Sequence, residues 1–377
     1  MDQGDLILRV WPVLGIVLLQ VFLLLAHWFI FHTLVTFLPF SPNGEQNLSV
    51  ALWVLGISFV VAALLGFRYS NPLVELIYTL AATWLGLFNF IFWGSCLCWM
   101  VRLGLALSHH DTPNAGEITA VVLFGLAILT GIYGILNARH IRERRLTVFL
   151  PNLPTVWRNR TALLISDMHL GHINRAGFAR RIAGIARRLN PHIIFIAGDL
   201  FDGSKADPAR IAGPLFSLRP PHGVYFSGGN HEDFGEPDLY EAALVKGGIH
   251  VLHNQRVNVE GLQVIGVSYA DSTHPMQLRS FLEGLHLHGG PASILLNHVP
   301  SRLPIVEVAG VSLQLSGHTH GGQIIPFTWI THRAFGKFTY GLHSYGGLQV
   351  LTSSGAGTWG PPMRVGTAPE VVLITFG

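Results

Sequence analysis

Short polar motifs that could bind metal ions recur through the second half of the chain. They are D-M-H at Asp167 and His169, G-D-L-F-D at Asp199 and Asp202, G-G-N-H-E at Asn230 and His231, an isolated His298, and G-H-T-H-G-G-Q at His318 and His320. Side chains two residues apart on an extended segment point the same way, so D-x-H and H-x-H can each present two ligands to one site. Carboxylate, imidazole and amide oxygen donors suit Mn, Fe or Zn better than a thiolate-selecting metal. The motifs therefore predict a site for such ions.

Each motif follows an apolar run that is typical of a buried strand. The runs before the motifs are 163–166, 193–197, 224–227, 294–297 and 313–316. Further strands are predicted at 263–267, 348–352 and 371–376, and a helix at 175–189. Open α/β sheets place their sites at the carboxyl ends of strands, so these strand ends are expected to converge. A single D-x-H or a lone histidine is more often a hydrogen-bonded core feature, and only the complete series predicts a metal centre.

The series D-x-H, G-D-x-x-D, G-N-H-E, isolated His and G-H-x-H, carried by Thr161 to Gln323, resembles the calcineurin-like metallophosphoesterases. The longer forms I-S-D-M-H-L-G and L-S-G-H-T-H-G-G-Q-I-I-P are similar to the bacterial membrane-associated branch of that family. The resemblance implies an α/β fold, a four-layer α-β-β-α sandwich with two mixed sheets. It also implies a metal-dependent phosphoric ester hydrolase with two divalent ions, Mn being favoured and Fe or Zn being alternatives.

The resemblance also implies a role for each motif residue. One ion would be held by Asp167, His169, Asp199 and His320, and the other by Asp199, Asn230, His298 and His318. Asp199 would bridge the two ions. His231 would be the general acid that protonates the leaving group, with Asp202 orienting it. Two such ions activate water and stabilise the in-line transition state of phosphoryl transfer.

Some features narrow the expected substrate. Phosphoprotein phosphatases of the family carry Arg after the second Asp of G-D-x-x-D, whereas Gly203 stands there in this chain, which disfavours protein dephosphorylation. A phosphodiester is favoured over a phosphomonoester. The Gly-rich tail from Tyr340 to Arg364 is interpreted either as a phosphate- or headgroup-binding rim or as a plain strand pair with tight turns. The remaining histidines are interpreted as surface or supporting residues, with His172 the leading exception.

The chain as a whole is too apolar for an ordinary soluble protein, so part of it must face lipid. Half of all residues are hydrophobic, only 12% are charged, and the mean hydropathy is +0.43. Four stretches are long enough to cross a bilayer, which takes about 20 helical residues. They lie within 6–38, at 48–67, within 73–101 and at 118–137. We therefore expect a transmembrane domain of four helices at 1–138, a basic juxtamembrane linker and first strand at 139–160, and a catalytic domain at 161–377.

The distribution of Arg predicts the orientation of this membrane protein. With four crossings, every Arg near the span ends except Arg102 lies on one side, so the catalytic domain is expected to be cytoplasmic and the protein a multi-pass protein of the cell membrane. A topology of three or five spans would weaken that conclusion. A cleaved signal peptide is a weaker interpretation of the first span, because its apolar region is too long and lacks an A-x-A-like site.

Composition also limits the partners. The net charge of +3 averages over two unlike halves, and no nucleic-acid signature accompanies it. Cys96 and Cys98 lie in an apolar run and are expected to pack passively. The expected partners are the bilayer and a phosphate-ester substrate that is derived from it, a phospholipid or a nucleotide-linked lipid. The rival hypothesis is a membrane transport or sensor protein with a regulatory phosphoesterase-like module.

Overall fold

The computed structural model describes residues 3–110 and 112–377, which form two compact units, Met1–Ile135 and Leu136–Gly377. The first unit is built from helices that are long and apolar enough to cross a membrane. They are α1 (Gln3–Phe37), α2 (Pro42–Arg68), α3 (Pro72–Leu107) and α4 (Pro113–Ala138). The prediction of four apolar helices is confirmed.

These helices begin earlier than the apolar runs suggested. Ser41 and Asn71 cap α2 and α3 by accepting hydrogen bonds from the first-turn amides. Pro42 and Pro72, which the sequence pattern assigned to breaks between spans, occupy the first helical positions, where a missing N–H costs nothing. Within the unit, Trp84 Nε1 donates to Nε2 of His27 at 3.0 Å. His27 therefore has a packing role among the helices.

The second unit contains two mixed six-stranded sheets. The strands are β1 (Arg142–Val148), β2 (Thr161–Ile165), β3 (Ile193–Ala197), β4 (Val224–Ser227), β5 (His250–Val251), β6 (Gln255–Val259), β7 (Leu262–Gly266), β8 (Ser293–Leu296), β9 (Leu313–Ser316), β10 (Gly341–Tyr345), β11 (Leu348–Thr352) and β12 (Glu370–Phe376). The first sheet has the order β1-β12-β2-β3-β4-β5 and the second β10-β11-β9-β8-β7-β6. Strands β2 to β5 are parallel, as are β7, β8, β9 and β11.

The helices of this unit are α5 (Ala176–Leu189), α6 (Pro208–Ala212), α7 (Asn230–Phe234), α8 (Pro237–Lys246), α9 (Tyr269–Thr273), α10 (Pro275–Glu283), α11 (Leu303–Val308) and α12 (Phe327–Phe335), with 3-10 turns at Thr155–Trp157, Gly213–Ser217, His320–Gly322 and Gly336–Thr339. Helices α5, α6 and α8 cover the outer face of the first sheet, and α10 and α11 cover that of the second. Strand residues alternate between the layers: Leu163 packs under the helices beside the first sheet, whereas Leu164 lies in the core between the sheets. In the second sheet Leu295 faces the outer helices. This is the predicted four-layer sandwich.

Four strands, β1, β5, β6 and β10, lie outside the predicted apolar runs. The basic segment at the start of the predicted juxtamembrane linker already enters the first sheet at Arg142, where β1 pairs in parallel with β12. Strands β5 and β6 were not predicted, and β10 lies in the Gly-rich tail, for which a strand pair was one of two interpretations. Strand β10 forms an antiparallel hairpin with β11, so the first part of the Gly-rich tail is the plain strand pair.

Candidate metal centre

The loops that carry the motifs all leave the carboxyl ends of neighbouring strands. Strands β2, β3 and β4 lie side by side in the first sheet, and β8 and β9 lie side by side in the second. Parallel neighbours bring their carboxyl ends to one edge, so the motifs of both sheets meet there. The structure brings together every residue that the sequence assigned to the metal ions.

The first group of side chains combines Asp167, His169 and His320, whose ligand atoms lie within 4.8 Å of one another. Nε2 of His169 lies 2.9 Å from Nε2 of His320, and the latter atom lies 3.6 Å from Oδ1 of Asp167. All three residues are buried. Two imidazole nitrogens that face each other beside a carboxylate are arranged as ligands of a common cation.

The second group combines Asp199, His298 and His318 within the same limit of 4.8 Å. Oδ2 of Asp199 lies 3.1 Å from Nε2 of His298. Nδ1 of His318 lies 2.9 Å from Oδ1 of Asn230, which adds an amide oxygen to the group. Asp199 also lies 3.8 Å from Nε2 of His169, so its carboxylate stands between the two groups.

Burial sets the electrostatics of the centre. It raises the pKa of Asp167 to about 6, against the opposing charge of His298. Burial alone would raise the pKa of Asp199 as well. The neighbouring imidazoles of His298 and His169 outweigh this effect, and the pKa of Asp199 lies well below its usual range. Burial lowers the pKa of His318 to about 4, which leaves a neutral imidazole, the form that can bind a metal ion.

The residues fit bound divalent cations. Among the described residues, none hydrogen-bonds to Oδ2 of Asp167, although that oxygen is buried. A buried polar atom without a partner is costly, and a cation would remove that cost. The donor set of carboxylates, imidazoles and one amide oxygen suits Mn, Fe or Zn. The clusters can therefore hold metal, and their chemistry alone does not select one ion.

Close backbone approach explains two of the motif glycines. Gly198 has φ +80°, and a Cβ there would lie 2.4 Å from Nδ1 of His298. A Cβ on Gly229 would lie 2.3 Å from Oδ1 of Asp199. Contacts this short are sterically excluded, so both positions need glycine for the ligands to reach one point.

His231 lies beside the two groups and is held by a main-chain contact. Its Nδ1 lies 3.0 Å from the backbone oxygen of Asp202. The expected orienting carboxylate of Asp202 instead accepts a hydrogen bond from the Ser204 amide at 2.8 Å. His231 shares a potential ligand cluster with His169 and Asp199, so its imidazole borders the place where the ions would bind. Trp359 flanks it, with ring centroids 5.5 Å apart.

Glu232 is a supporting residue that sequence reasoning did not single out, although it ends the motif G-G-N-H-E. Its buried carboxylate accepts hydrogen bonds from the amides of Gly229 at 2.7 Å, Asp199 at 3.0 Å and Phe201 at 2.9 Å. Burial and the charge of Asp199 raise the pKa of Glu232 to about 8. The side chain fastens the loop after β3 to the loop after β4.

Arg364 is a second supporting residue, and its position in the Gly-rich tail was the only signal for it. The guanidinium is fully buried, donates to the backbone oxygen of His320 at 2.8 Å and lies 2.9 Å from Nδ1 of the same residue. It also donates to the carbonyls of Ser354 at 2.7 Å and Gly357 at 2.6 Å. Arg364 therefore fixes the His320 ring and closes the tail over the first group.

His172, the exception proposed among the other histidines, is buried. Its backbone oxygen accepts a hydrogen bond from Nε of Arg175 at 2.9 Å. Burial raises the pKa of Asp202, and the nearby His172 opposes that rise. His172 therefore lies close to the loop of Asp202 and belongs to none of the three potential ligand clusters of the described residues.

Parts of the chain are similar to known proteins. Residues 160–322 match the calcineurin-like phosphoesterase family. A metallophosphoesterase of Aquifex aeolicus is 31% identical over 257 residues, which cover 67% of this chain and 97% of that protein. A transmembrane protein with metallophosphoesterase domain from Bos taurus is 26% identical over 93% of this chain and 86% of its own length. Among solved structures, a dimetal phosphatase from Danio rerio covers 52% of this chain and 88% of its own, with a TM-score of 0.36 and 14% identity.

Proposed function

Because the chain belongs to the calcineurin-like phosphoesterase family, whose members are metal-dependent phosphoester hydrolases, we propose that it is a membrane-anchored enzyme with a dinuclear metal centre. The observation that carries this proposal is the convergence of all seven expected ligand residues on one buried centre. A module that had lost catalysis would be expected to have lost some of them.

We assign one ion to Asp167, His169, Asp199 and His320 and the other to Asp199, Asn230, His298 and His318. The position of the Asp199 carboxylate between the two groups supports its role as the shared ligand. When bound, such ions supply Lewis-acid activation of water and neutralise the charge of the phosphoryl oxygens. Mn is the favoured ion. Fe and Zn are alternatives, because they prefer similar ligand atoms.

We assign the leaving-group proton to His231. A carbonyl oxygen can only accept, so the contact with the Asp202 backbone requires a proton on Nδ1 of His231. Nε2 then remains as the nitrogen that faces a substrate. In the imidazolium form, Nε2 donates its proton to the leaving oxygen, and Asp202 keeps the ring oriented while this happens.

A membrane-derived phosphate ester is the proposed substrate, with a phosphodiester of a phospholipid or a nucleotide-linked lipid favoured. Support comes from the four apolar helices that share the chain with the centre. Gly203 supports this substrate indirectly. It has no side chain that could bind a phosphate, as the Arg at this position of phosphoprotein phosphatases does. We place the catalytic unit on the cytoplasmic side from the distribution of Arg.

Metal-dependent turnover tests the proposal. Purified full-length protein in lipid nanodiscs is assayed with Mn against phospholipids, nucleotide-linked lipids and aryl phosphodiesters. We expect turnover that chelation abolishes and added metal restores. Asp199→Asn should lose it, whereas Asp207→Asn should retain it, because Asp207 only caps α6 and Asn caps equally well.

The rival hypothesis, a transport or sensor protein with a regulatory module, makes the opposite prediction. It is favoured by the number of apolar helices, since one would suffice as an anchor. Metal binding without turnover of any ester in the panel would support this rival and contradict the enzymatic proposal.

A further inference from the structure

Helix α12 presents an unusual surface for a unit that folds around its own core. Phe327, Trp329 and Ile330 are 51%, 73% and 62% exposed. The opposite face, with Thr328 and Phe335, packs partly against the rest of the unit. Large apolar side chains that are grouped on one exposed face usually mark an interaction site.

This apolar face continues to the rim of the metal centre. Ile325, also exposed, donates its amide to the oxygen of Val365 at 3.1 Å. The side chain of Gln323 exchanges hydrogen bonds with the Trp359 backbone at 3.0 Å in both directions, and Trp359 flanks His231. We call Ile325, Phe327, Trp329, Ile330 and Trp359 the rim surface.

The segment of sequence that carries the rim surface has charged residues of one sign. From residue 308 to residue 369 the sequence contains no Asp or Glu, and its only Lys and Arg residues there are Arg333, Lys337 and Arg364. Arg333 and Lys337 are exposed on and just after α12. An apolar face with Trp and Phe, edged by basic residues, is the composition of helices that lie in a membrane interface.

The chain itself brings a bilayer within reach. Only three residues connect α4, which ends at Ala138, to β1, which begins at Arg142. A connection of that length reaches no farther than roughly 15 Å.

From the exposed apolar residues, the basic edge and the short tether, we infer that α12 docks on the lipid bilayer. Its apolar face lies in the boundary between headgroups and acyl chains, about 5–10 Å deep for helices of this kind. Arg333 and Lys337 face anionic headgroups. The rim surface thereby connects the bilayer to the metal centre, so an ester in the membrane reaches His231 without passing through water. The docking extends the proposed function, but it does not depend on turnover.

The depth of α12 in a bilayer tests the inference. Full-length protein with Cys96→Ala and Cys98→Ala is reconstituted into vesicles that contain phosphatidylglycerol, and an environment-sensitive fluorophore is attached at Ile330→Cys. The matched control is Met276→Cys on α10, because Met276 is 78% exposed and lies outside the rim surface. We expect a blue shift and quenching by spin-labelled lipid at position 330. At position 276 we expect quenching by aqueous iodide.

A photo-crosslinking version keeps the native cysteines in case the altered background fails to fold. Ile330→benzoylphenylalanine should yield lipid adducts by mass spectrometry, and Met276→benzoylphenylalanine should not. The inference is overturned if position 330 is as accessible to iodide as position 276, or if its adducts are with protein. Neither readout requires activity, so a failure of docking is distinguishable from a failure of the proposed enzymatic function.

Discussion

Nδ1 of His231 lies against a backbone carbonyl, which cannot change its charge, and Nδ1 of His298 lies in the same way 2.8 Å from the oxygen of Ala197. His169 and His320 instead meet each other through Nε2. If His231 adjoins the ligands without being one, as we propose, it can lose its side chain and leave the metal site intact.

We therefore expect His231→Ala to retain both metal ions and to lower turnover. Lost acid catalysis typically costs about 10² to 10⁴ in rate. The defect should shrink for nitrophenyl esters, whose leaving groups need little protonation. Metal analysis and rates on alkyl and nitrophenyl esters measure both effects, with the exposed His286→Ala as the control. A variant that loses metal, or that is equally slow on both esters, would exclude His231 as the acid.

Glu232 can be tested through the direction of its hydrogen bonds. Three amides donate to its two oxygens, so above pH 8, where Glu232 is ionised, Glu232→Gln replaces an acceptor by an NH2 group that faces a donor. Leaving such a buried pair unsatisfied costs about 1–3 kcal/mol. We expect a lower melting temperature in nanodiscs and weaker metal binding. Glu236→Gln is the control, since it removes only an exposed pair with Lys205 and should change neither.

The convergence of the expected ligand residues could be predicted from sequence because each motif carries its own residues and glycines within a few positions. The supporting contacts could not. Arg364 reaches His320 across 44 positions, and the Gly-rich tail indicates a loop without indicating what its one Arg contacts. The tertiary fold also decides that Asp202 holds His231 with its carbonyl, since a motif cannot distinguish a side chain from its backbone.

At the scale of elements, the strand ends adopt backbone conformations that strands and helices avoid. Asp167, His169, Asp199, His318 and His320 all have positive φ, between 46° and 68°. Non-glycine residues in this region are strained by about 1–3 kcal/mol and cluster at functional sites. These turns bring the side chains together at one point. The strain in their backbone is offset by the stability of the buried sheets.

Gly198→Ala tests the packing of two such turns. The new Cβ would meet the His298 ring and would require φ +80°, so we expect His298 to be displaced and metal to be lost. Gly184→Ala is the matched control. Gly184 lies in α5 with open space around it, and an alanine there should raise stability by about 0.5–1 kcal/mol. The test measures the metal content and the melting temperature of both variants. Normal metal binding by Gly198→Ala would contradict the packing argument.

The central strands were predictable because each is an apolar run bounded by turn residues, and β3, β4, β9 and β11 begin and end where predicted. The missed strands carry no such signal. Strand β6 reads Q-R-V-N-V and is mostly exposed, and β5 has only two residues. A first strand was expected within 139–160, but the Arg-rich sequence of β1, typical of a membrane-proximal linker, did not indicate its bounds or its pairing with β12.

For the whole molecule, the orientation in the membrane follows from charge. The connection between α2 and α3 follows Arg68, and the segment after α4 carries several Arg, whereas Arg102 is the one Arg assigned to the opposite side. Positive residues are retained on the cytoplasmic side. This places the catalytic unit in the cytoplasm by prediction.

Reporter fusions measure this orientation. We expect a fusion at Gly377 and one at Ser70 to report the cytoplasm and a fusion at Pro42 to report the opposite side. Since Ser70 lies between α2 and α3, it serves as an internal standard for an even number of crossings. Matching signals at Pro42 and Gly377 would refute the four-span topology.

The position of β12 in the first sheet has a consequence for biosynthesis. Strand β12 lies between β1 and β2, which do not pair with each other, so the two strands that leave the ribosome first have no shared neighbour until residues 370–376 are made. The amide of Glu370 also donates to the oxygen of Gly355, next to Asp167. The first sheet is therefore completed only after the four apolar helices and the other strands of the unit have been made.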